Sequence, residues 1–393
     1  MERWHSQHYL EAGRKKGIDE EILQRSIATA EHTLRQPQAG PPILTLGHLS
    51  HLCGVPTDIL HTYIAREGAD PYSQFAIRKR PISGEKPRFR FISIPEKRLL
   101  KVQTWIARKV LNNTRCHPAS KAFAPGSRLV AAATPHCQAQ WMIKIDVRDF
   151  FESITEIDVY RVFCDRGYQP LVAFELARLC TRLRDKHREP RFFFPPKRAP
   201  KHYSTKIRRI YPPKLMGVLP QGAPTSPMLA NLTVYDLDED LSQIAKKFRL
   251  RYSRYADDLT FSTIQKSFGR SRSTDVIGKI YQALIRCGLS PNRSKTTVIS
   301  PGSRKVVLGL LVDGNRPRLT REFRYRLRMH LYFITHPEHG PSKHAKARGF
   351  SSVEGLRQHL LGLIGFAGQI DAIYADKCRT EMRRANWSAT LEC

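Results

Sequence analysis

The sequence has no closely spaced cysteine pair and no long apolar run. Its eight cysteines are scattered and none forms a C-x-x-C pair, which argues against a structural zinc site and a disulfide framework. The run "LLGLIGFAG" near the C-terminus is too short to cross a bilayer, and the N-terminal "MERWHSQHYLEAGRKK" lacks the apolar core of a signal peptide. These absences predict a cytoplasmic protein without a membrane partner.

Acidic residues are also scarce. Only 35 Asp and Glu stand against 66 Lys and Arg, so the formal net charge is +31 in a chain of 393 residues. A surplus of this size favours a polyanionic partner, because each phosphate that the protein neutralises releases counterions. The charge therefore predicts a class of partner, nucleic acid, but it predicts no reaction.

Hydrophobic periodicity divides the chain into three regions. Residues 1–45 are expected to form a helical extension, and residues 46–315 alternate between predicted helices and strands. Within the second region, a segment at about 182–216 is rich in proline, arginine and aromatics and has no usable periodicity. It is interpreted either as an insertion that tracks nucleic acid by charge and stacking or as a solvated surface loop. Residues 316–393 are expected to be helical and basic.

Three helix boundaries have capping signals. Thr155 is expected at an N-cap with Asp158 in the first turn, and Ser226 at another N-cap with Pro227 after it. Gly288 is expected just past the end of a third helix.

Three aspartates occupy positions that need a special explanation. Asp146 lies inside the alternating run "WMIKIDVR", where a buried charge is costly unless it is paired or bound to metal. Asp257 and Asp258 lie between two alternating runs, at the tip of a predicted hairpin, where they are either ordinary turn residues or metal ligands. If the hairpin pairs beside the Asp146 strand, three carboxylates converge. Such a cluster suits two Mg²⁺ ions that activate a hydroxyl and stabilise a leaving pyrophosphate.

Three motifs resemble those of a known family. "IDVRDFF" (145–151), "LPQGAPTSP" (219–227) and "YADD" (255–258) resemble the palm motifs of reverse transcriptases, in the order that this family uses. "RYADDLTFS", "LPQGAPTSPMLANL" and "GLSPNRSKT" are similar to bacterial retron reverse transcriptases in particular. The resemblance implies an α+β right-hand polymerase with fingers, a ferredoxin-like palm and a helical thumb. Residues 46–315 would then be fingers and palm, and residues 316–393 an RNA-binding thumb.

The resemblance also implies roles for individual residues. Asp146, Asp257 and Asp258 would be the catalytic residues and the ligands of two Mg²⁺ ions.

Five further residues would bind or act on the incoming nucleotide. Gln221 would contact it, and Phe151 would exclude a 2′-OH sterically, so that dNTPs are the substrates. Arg90 would hold the triphosphate by a charge-assisted fork, with Lys86 as a weaker companion. Lys295 would either protonate the pyrophosphate leaving group or contact RNA.

The resemblance finally implies a biological reaction. The enzyme would copy a cognate structured non-coding RNA (msr–msd) into branched msDNA primed from a 2′-OH. A toxic effector protein would act with it in anti-phage defence, and host RNase H would remove RNA.

Two other readings of the function stay open. Ala132 stands where retron enzymes usually carry asparagine, and "VLG" (307–309) stands where they carry V-T-G. A non-retron, defence-associated bacterial reverse transcriptase with a different RNA and different priming is therefore the alternative. A catalytically silent RNA-binding scaffold is a third reading, against which the three aspartates argue.

Five histidines have no expected catalytic role. His136 is interpreted as a structural or RNA-contacting residue rather than a catalyst. His330, His336, His339 and His344 are expected to lie in a basic surface loop, because their spacing has no metal-ligand regularity.

Overall fold

The computed structural model describes residues 4–38, 40–78, 89–112, 114–124, 126–184 and 216–387. Lys86 and nearly all of the basic segment 182–216 lie outside these ranges. No helix among the described residues combines the length and the apolar character that a membrane span requires.

The described residues form sixteen α-helices and eleven strands, besides one π-helical and two 3₁₀ segments. The helices are α1 Ser6–Lys15, α2 Glu20–Arg35, α3 Leu46–Cys53, α4 Thr57–Ala65, α5 Lys97–Trp105, α6 Leu129–Ala133, α7 Phe150–Ser153, α8 Glu156–Cys164, α9 Pro170–Cys180, α10 Ser226–Thr233, α11 Tyr235–Lys247, α12 Arg270–Arg286, α13 Arg321–Thr335, α14 Gly340–Ala347, α15 Val353–Gly368 and α16 Ala372–Arg383. The strands are β1 Tyr72–Arg78, β2 Phe89–Pro95, β3 Trp141–Arg148, β4 Arg182–Leu183, β5 Gly217–Val218, β6 Arg251–Tyr255, β7 Asp258–Thr263, β8 Ser290–Ile299, β9 Val306–Val307, β10 Leu310–Leu311 and β11 Arg318–Leu319. The chain is therefore a mixed α+β protein.

A four-stranded antiparallel sheet forms the centre of the molecule. Its strand order is β6-β7-β3-β8, with helices between β3 and β6 and helix α12 between β7 and β8. This is the order of the split β-α-β-β-α-β unit of ferredoxin-like folds. The order places β3 between β7 and β8, so the two strands that flank Asp146 come from distant parts of the chain.

The two faces of β3 pack into different cores, as its alternation predicts. Ile143, Ile145 and Val147 belong to a large core that they share with the helices between residues 43 and 289. Met142, on the opposite face, belongs to a second core formed mainly by residues 307–385. The C-terminal helices therefore cover one end of the face that carries Asp146.

The C-terminal helices α13 to α16 build the second core. Leu327 and Leu331 of α13 pack in it with Leu356 and Leu360 of α15, all nearly or fully buried. Helix α13 begins where the Thr320 side chain accepts a hydrogen bond from the Phe323 amide. Helices α13 to α16 account for most of the described residues beyond Thr320.

The hairpin β1–β2 lies against the loop that precedes α10. Strands β1 and β2 pair from Tyr72↔Pro95 to Arg78↔Phe89. The Ser93 amide donates a hydrogen bond of 2.7 Å to the Gln221 carbonyl. This contact joins β2 to the loop that precedes α10.

Helix boundaries confirm most of the capping predictions. Thr155 and Asp158 form a capping box at the start of α8, and Gly288 follows the end of α12 with φ 77°. Ser226 was expected at the N-cap of α10 but is its first helical residue, and Thr225 is the N-cap without a side-chain cap bond. Since proline is accommodated throughout the first helical turn, Pro227 does not determine the boundary to one residue.

The prediction of a histidine-rich surface loop is wrong for two of its four histidines, although His336 and His339 do lie in the turn between α13 and α14. His330 lies inside α13 and His344 inside α14, both are 4% exposed, and His330 Nδ1 lies 2.9 Å from His344 Nε2. The apolar residues between them fold the two helices together, and this pairing buries the two rings.

The ends of the basic segment meet in the structure. Strand β4 begins at Arg182 and pairs with β5, Arg182 opposite Val218 and Leu183 opposite Gly217. The described residues on the two sides of the segment therefore lie side by side, a few residues before Gln221.

Candidate active site

The three aspartates come together at one end of the central sheet. Asp146 of β3 pairs directly with Asp258, the first residue of β7. Side chains at such positions have Cβ atoms about 5 Å apart. Asp257 immediately precedes β7, and its carbonyl accepts a hydrogen bond of 2.9 Å from the Val147 amide. The structure thus brings together the residues that the sequence singled out.

A tight two-residue turn presents Asp257. Tyr255 pairs with Asp258, so the chain reverses through Ala256 and Asp257 alone. Ala256 has φ 56°, a left-handed conformation that residues with a side chain adopt at a cost. Ala256 is also buried. Contacts from neighbouring residues must therefore offset the conformational cost of the turn.

Asp146 is engaged on both carboxylate oxygens. Asn292 Nδ2 donates to Oδ1 and Lys295 Nζ donates to Oδ2, each at 2.8 Å. Asn292 is the register partner of Asp146 on β8, and between the pairs at Lys144 and Asp146 a single residue of β3 faces four residues of β8. This irregularity redirects β8 locally, and Lys295 lies within it.

The aspartates are chemically suited to a divalent cation. Carboxylate oxygens at adjoining register positions are the ligands that Mg²⁺ prefers. Within the described ranges, no group of three or more His, Cys, Asp and Glu side chains is arranged to hold a metal ion. Asp146 faces Asn292 and Lys295 instead, so metal binding at all three aspartates requires Lys295 to move away from Asp146.

The electrostatics of the cluster also point to a cation. Burial, followed by the neighbouring charge of Asp258, raises the pKa of Asp257 to about 6. Burial also raises the pKa of Asp258, with Asp146 adding to the rise and Lys144 and Lys295 opposing it. Like charges that share a partly buried site disfavour ionisation. A divalent cation would remove this penalty.

Arg90 and Gln221 reach the same region from the hairpin β1–β2 and the loop before α10. The Arg90 guanidinium is close enough to oppose the rise in the pKa of Asp257. Gln221 lines a small cleft with Phe91, Ser93 and Arg182. These two predicted nucleotide-binding residues therefore lie on adjoining segments.

Gly222 explains why the loop can approach the hairpin so closely. Its φ is 118°, and a Cβ added there would lie 2.8 Å from both the Ser93 carbonyl oxygen and Ile92 Cγ2. Only glycine combines this backbone conformation with this contact. The backbone of the loop therefore approaches the Ser93 backbone closely at Gly222.

Phe151 belongs to an aromatic group beside the aspartates. Its ring centroid lies 5.6 Å from that of Phe150 and 6.2 Å from that of Phe123, which in turn lies 6.4 Å from Tyr255. Phe151 is half-buried and follows β3 by three residues. The ring thus packs against Phe150 and Phe123, five residues after Asp146 along the chain.

His136 is a structural residue. It is fully buried, with Nδ1 2.7 Å from Ser262 Oγ and Nε2 2.7 Å from Ser253 Oγ. Burial lowers the pKa of His136 to about 3. Of the two interpretations made from the sequence, structural or RNA-contacting, the structure supports the first.

Sequence reasoning missed two sets of residues around the aspartates. Asn292 holds Asp146, and its only sequence signal is its place three residues before Lys295. Arg254 and Asp238 form a fully buried ion pair behind the Ala256–Asp257 turn. Arg254 had looked like one more alternating strand residue, because its partner lies on another element.

Comparisons with known proteins agree with this geometry. The family model described as reverse transcriptase (RNA-dependent DNA polymerase) matches residues 77–325. The retron Ec86 reverse transcriptase of Escherichia coli is 29% identical over 264 residues, which cover 67% of this chain and 70% of that protein.

Two further relatives cover more of the chain. The retron Mx65 reverse transcriptase of Myxococcus xanthus is 30% identical over 329 residues, 82% of this chain and 68% of that protein. The retron Ec83 reverse transcriptase of Escherichia coli is 28% identical over 319 residues, 79% of this chain and 86% of that protein. The family model covers more than half of the chain and includes all three aspartates. The chain therefore belongs to the reverse transcriptase family, as an RNA-directed DNA polymerase of the bacterial retron type.

Proposed function

We propose that this polymerase copies a cognate structured RNA (msr–msd) into branched msDNA, starting from the 2′-OH of an internal guanosine. The observation that carries the proposal is the direct pairing of Asp146 with Asp258 beside Asp257, in a chain with retron relatives. The net charge of +31 supports a large nucleic-acid partner.

The proposed architecture is that of a right-hand polymerase. The sheet β6-β7-β3-β8 is the palm, the hairpin β1–β2 belongs to the fingers, and helices α13 to α16 form the thumb. The second core, formed mainly by residues 307–385 together with Met142 and residues 133–139, supports a helical thumb that packs against the face of the sheet that carries Asp146. Residues 1–45 are a helical extension in this scheme.

The residues at the site have distinct proposed roles. Two Mg²⁺ ions held by Asp146, Asp257 and Asp258 would, when bound, stabilise the reacting phosphates. Arg90 binds the triphosphate, which its position near Asp257 supports. Phe151 blocks the space that a ribose 2′-OH would need.

Lys295 and Gln221 complete the proposed set. Lys295 lies 2.8 Å from Asp146, and it either donates a proton to the leaving pyrophosphate or contacts RNA once it has moved away. Gln221 contacts the incoming dNTP, a role that its cleft beside Ser93 supports. Lys86 stays a proposed companion of Arg90 outside the described residues.

The proposed partners follow from the msDNA reaction. They are the cognate RNA and its cDNA, dNTPs, a toxic effector protein in anti-phage defence, and host RNase H for RNA removal. The cytoplasmic location expected from the cysteine pattern belongs to the same proposal.

A non-retron defence enzyme with different priming remains the second candidate. The observation behind it is the replaced asparagine: Ala132 is buried, and its carbonyl accepts from Ser253 Oγ at 3.3 Å. His136, four residues after Ala132, is also buried. Ala132 and His136 therefore pack against strands β6 and β7 and are not open to RNA.

The nucleic acid that co-purifies with the protein distinguishes the two candidates. Extraction and sequencing should recover an RNA joined to cDNA, and treatment with a debranching enzyme should release the cDNA from its guanosine. A linear cDNA with no 2′–5′ branch would contradict the retron proposal and favour the second candidate.

The catalytic assignment has a direct test. The double variant Asp257→Ala, Asp258→Ala should make no cDNA in the presence of Mg²⁺, because only Asp146 remains at the site. Asp275→Ala is the matched control, since this carboxylate lies on α12 and pairs with Lys279. Product at the control's level from the double variant would refute the assignment.

A further inference from the structure

The side chain of Arg254 is the least expected feature near the site. Arg254 is 1% exposed, although it lies on β6 only two residues before the turn that presents Asp257. A buried guanidinium needs partners for all of its charge and its donors. Its partners therefore indicate what it holds in place.

One partner is Asp238 of α11, which is 0% exposed. Arg254 Nε donates to Asp238 Oδ1 at 2.8 Å and Nη2 donates to Oδ2 at 2.6 Å. Tyr252 Oη donates to the same carboxylate at 2.7 Å. This two-pronged contact fixes the plane of the guanidinium.

The remaining nitrogen of the guanidinium, Nη1, forms a hydrogen bond with the turn. It donates to the Ala256 carbonyl at 3.2 Å and to Asn231 Oδ1 at 3.0 Å. Ala256 is the residue with φ 56°, and its carbonyl belongs to the peptide bond that leads into Asp257. The guanidinium thus stabilises the strained Ala256–Asp257 peptide unit through this hydrogen bond.

The same guanidinium lies against the aromatic group. Its Cζ is 5.9 Å from the Phe150 ring centroid, and Phe150 is the neighbour of Phe151. The backbone of Arg254 is fixed as well, because its amide donates to the Ala119 carbonyl and its carbonyl accepts from the Lys121 amide, both at 2.8 Å. Arg254 therefore contacts both the Ala256 carbonyl of the turn and the Phe150 ring, which packs against Phe151.

We infer that Arg254, held by Asp238, is a positioning residue that keeps the Ala256–Asp257 turn in its strained form and so aims the Asp257 carboxylate at Asp146. The inference rests on the proposed catalytic role of Asp257. Geometry of this kind matters to rate, because a displacement of about 1 Å at a reacting group can cost about 100-fold.

The first test compares Arg254→Lys with Arg166→Lys. Lysine keeps the charge but cannot hold Asp238 with two donors and reach the turn as well. Arg166 is the matched control, because it is 7% exposed and donates to the Val162 carbonyl and Thr114 Oγ1, far in sequence from the turn. The measurements are melting temperature and, with oligo(dT) on poly(rA), kcat and the KM for dTTP.

Arg254→Lys should lower kcat by about 10- to 100-fold with the KM for dTTP within about threefold of wild type. Arg166→Lys should lower the melting temperature but leave kcat within about twofold. Arg254→Lys with kcat within twofold of wild type would overturn the inference.

The second test is rescue by Ala256→Gly. Glycine adopts a left-handed φ without strain, so the turn no longer needs the hydrogen bond from Arg254. The double variant Arg254→Lys, Ala256→Gly should regain at least about fivefold in kcat over Arg254→Lys, a coupling that a general loss of stability would not produce. The same kcat in both variants would overturn the inference.

A readout without catalysis uses Mn²⁺ binding followed by electron paramagnetic resonance. Arg254→Lys should weaken Mn²⁺ affinity about tenfold, and Arg166→Lys should not, because only the first displaces Asp257. Equal affinities in the two variants would overturn the inference. If Arg254→Lys does not fold, the pair Arg254→Met, Asp238→Leu removes both charges together and takes its place in each assay.

Asp257→Asn separates the inference from the proposed function. If Asp257→Asn keeps wild-type kcat, the catalytic role of Asp257 fails and the positioning role fails with it. If Asp257→Asn is inactive while Arg254→Lys is fully active, the proposed function stands and only the positioning role is refuted.

Discussion

Individual side chains at the site are held in place by partners from other elements. Asp146 has Asn292 and Lys295, the Ala256–Asp257 turn has Arg254, and the Phe151 ring has Phe123. Of these partners, Asn292, Arg254 and Phe123 contribute rigidity rather than chemistry, whereas Lys295 also has a proposed role in the reaction. A rigid set of neighbours keeps a reacting group near its productive geometry.

Phe151 offers a prediction about substrate choice. Phe151→Ala should open the space beside the sugar and raise the ratio of ribonucleotide to deoxyribonucleotide incorporation by at least about tenfold, since the exclusion is steric. The kcat/KM values for rUTP and dTTP on poly(rA) measure the ratio. Phe123→Ala is the control, because its ring lies 6.2 Å from that of Phe151 but has no proposed contact with the sugar. An unchanged ratio in Phe151→Ala would remove the residue from this role.

His136 offers a prediction about stability and pH. Its folded-state pKa of about 3 lies below the unfolded value near 6.5, so only the unfolded chain takes up a proton between these values. The free energy of unfolding should therefore fall by about 2 kcal/mol from pH 7 to pH 5 through this residue alone. Urea denaturation at the two pH values measures the fall.

The matched variant for this experiment is His136→Gln, which keeps polar atoms for Ser253 and Ser262 but does not titrate. It should be less stable than wild type at pH 7 but lose about 2 kcal/mol less on going to pH 5. Parallel losses in the two proteins would mean that His136 is not the group responsible.

Among the elements, β2 and the loop before α10 are in close contact. The Ser93 amide bonds the Gln221 carbonyl at 2.7 Å, and Gly222 packs on Ser93 with no room for a Cβ. This contact joins the hairpin that carries Arg90 to the loop that carries Gln221. The two proposed nucleotide contacts therefore depend on one glycine.

Gly222→Ala tests this dependence. The added methyl would collide with the Ser93 backbone, so we expect a loss of about 3 kcal/mol in the free energy of unfolding and a higher KM for dTTP. Gly302→Ala is the control, because Gly302 has φ 81° but no atom within 4 Å of an added Cβ. It should lose about 1 kcal/mol through backbone strain alone. Equal losses would show that the contact is not tight.

Over the whole molecule, positive charge and two cores suit a protein that holds a long polyanion. Part of this charge lies on the outer face of α13. Exposed arginines and tyrosines alternate along that face at Arg321, Tyr325, Arg328 and Tyr332. The two tyrosines are 68% and 59% exposed. Charge and stacking on one helix face are the features with which proteins bind single-stranded nucleic acid.

The affinity for RNA should therefore depend strongly on salt. With about five phosphate contacts on single-stranded RNA, it should fall about a hundredfold between 50 and 200 mM salt. Arg321→Gln with Arg328→Gln should reduce the slope of log affinity against log salt by about 1.4, for two lost contacts. Filter binding of a labelled RNA measures both slopes.

The control for that experiment is Arg25→Gln with Arg35→Gln. These arginines are equally exposed but pair with Glu21 and Glu31 on α2. The slope should stay at the wild-type value in this control. A slope unchanged in the α13 variant as well would exclude α13 from the RNA surface.

Local patterns in the sequence were enough to predict the three aspartates, the strand around Asp146 and the capping of α8. Each of these depends on residues a few positions apart, which the backbone periods of 2 and 3.6 bring together without further information. The α+β class and the helical C-terminal region were predicted for the same reason. The motifs that resemble reverse transcriptases are also local, so the family could be read from them.

Only the tertiary structure decided which distant residues support that site. Arg254 meets Asp238 across 16 positions, Asn292 meets Asp146 across 146, and the buried contact of His330 with His344 replaced an expected surface loop. None of these pairs has a periodic signal, because each arises from strand order and helix packing. The physical reason is that burial and register are properties of the assembled sheet and cores, whereas charge, alternation and turn chemistry belong to short stretches of chain.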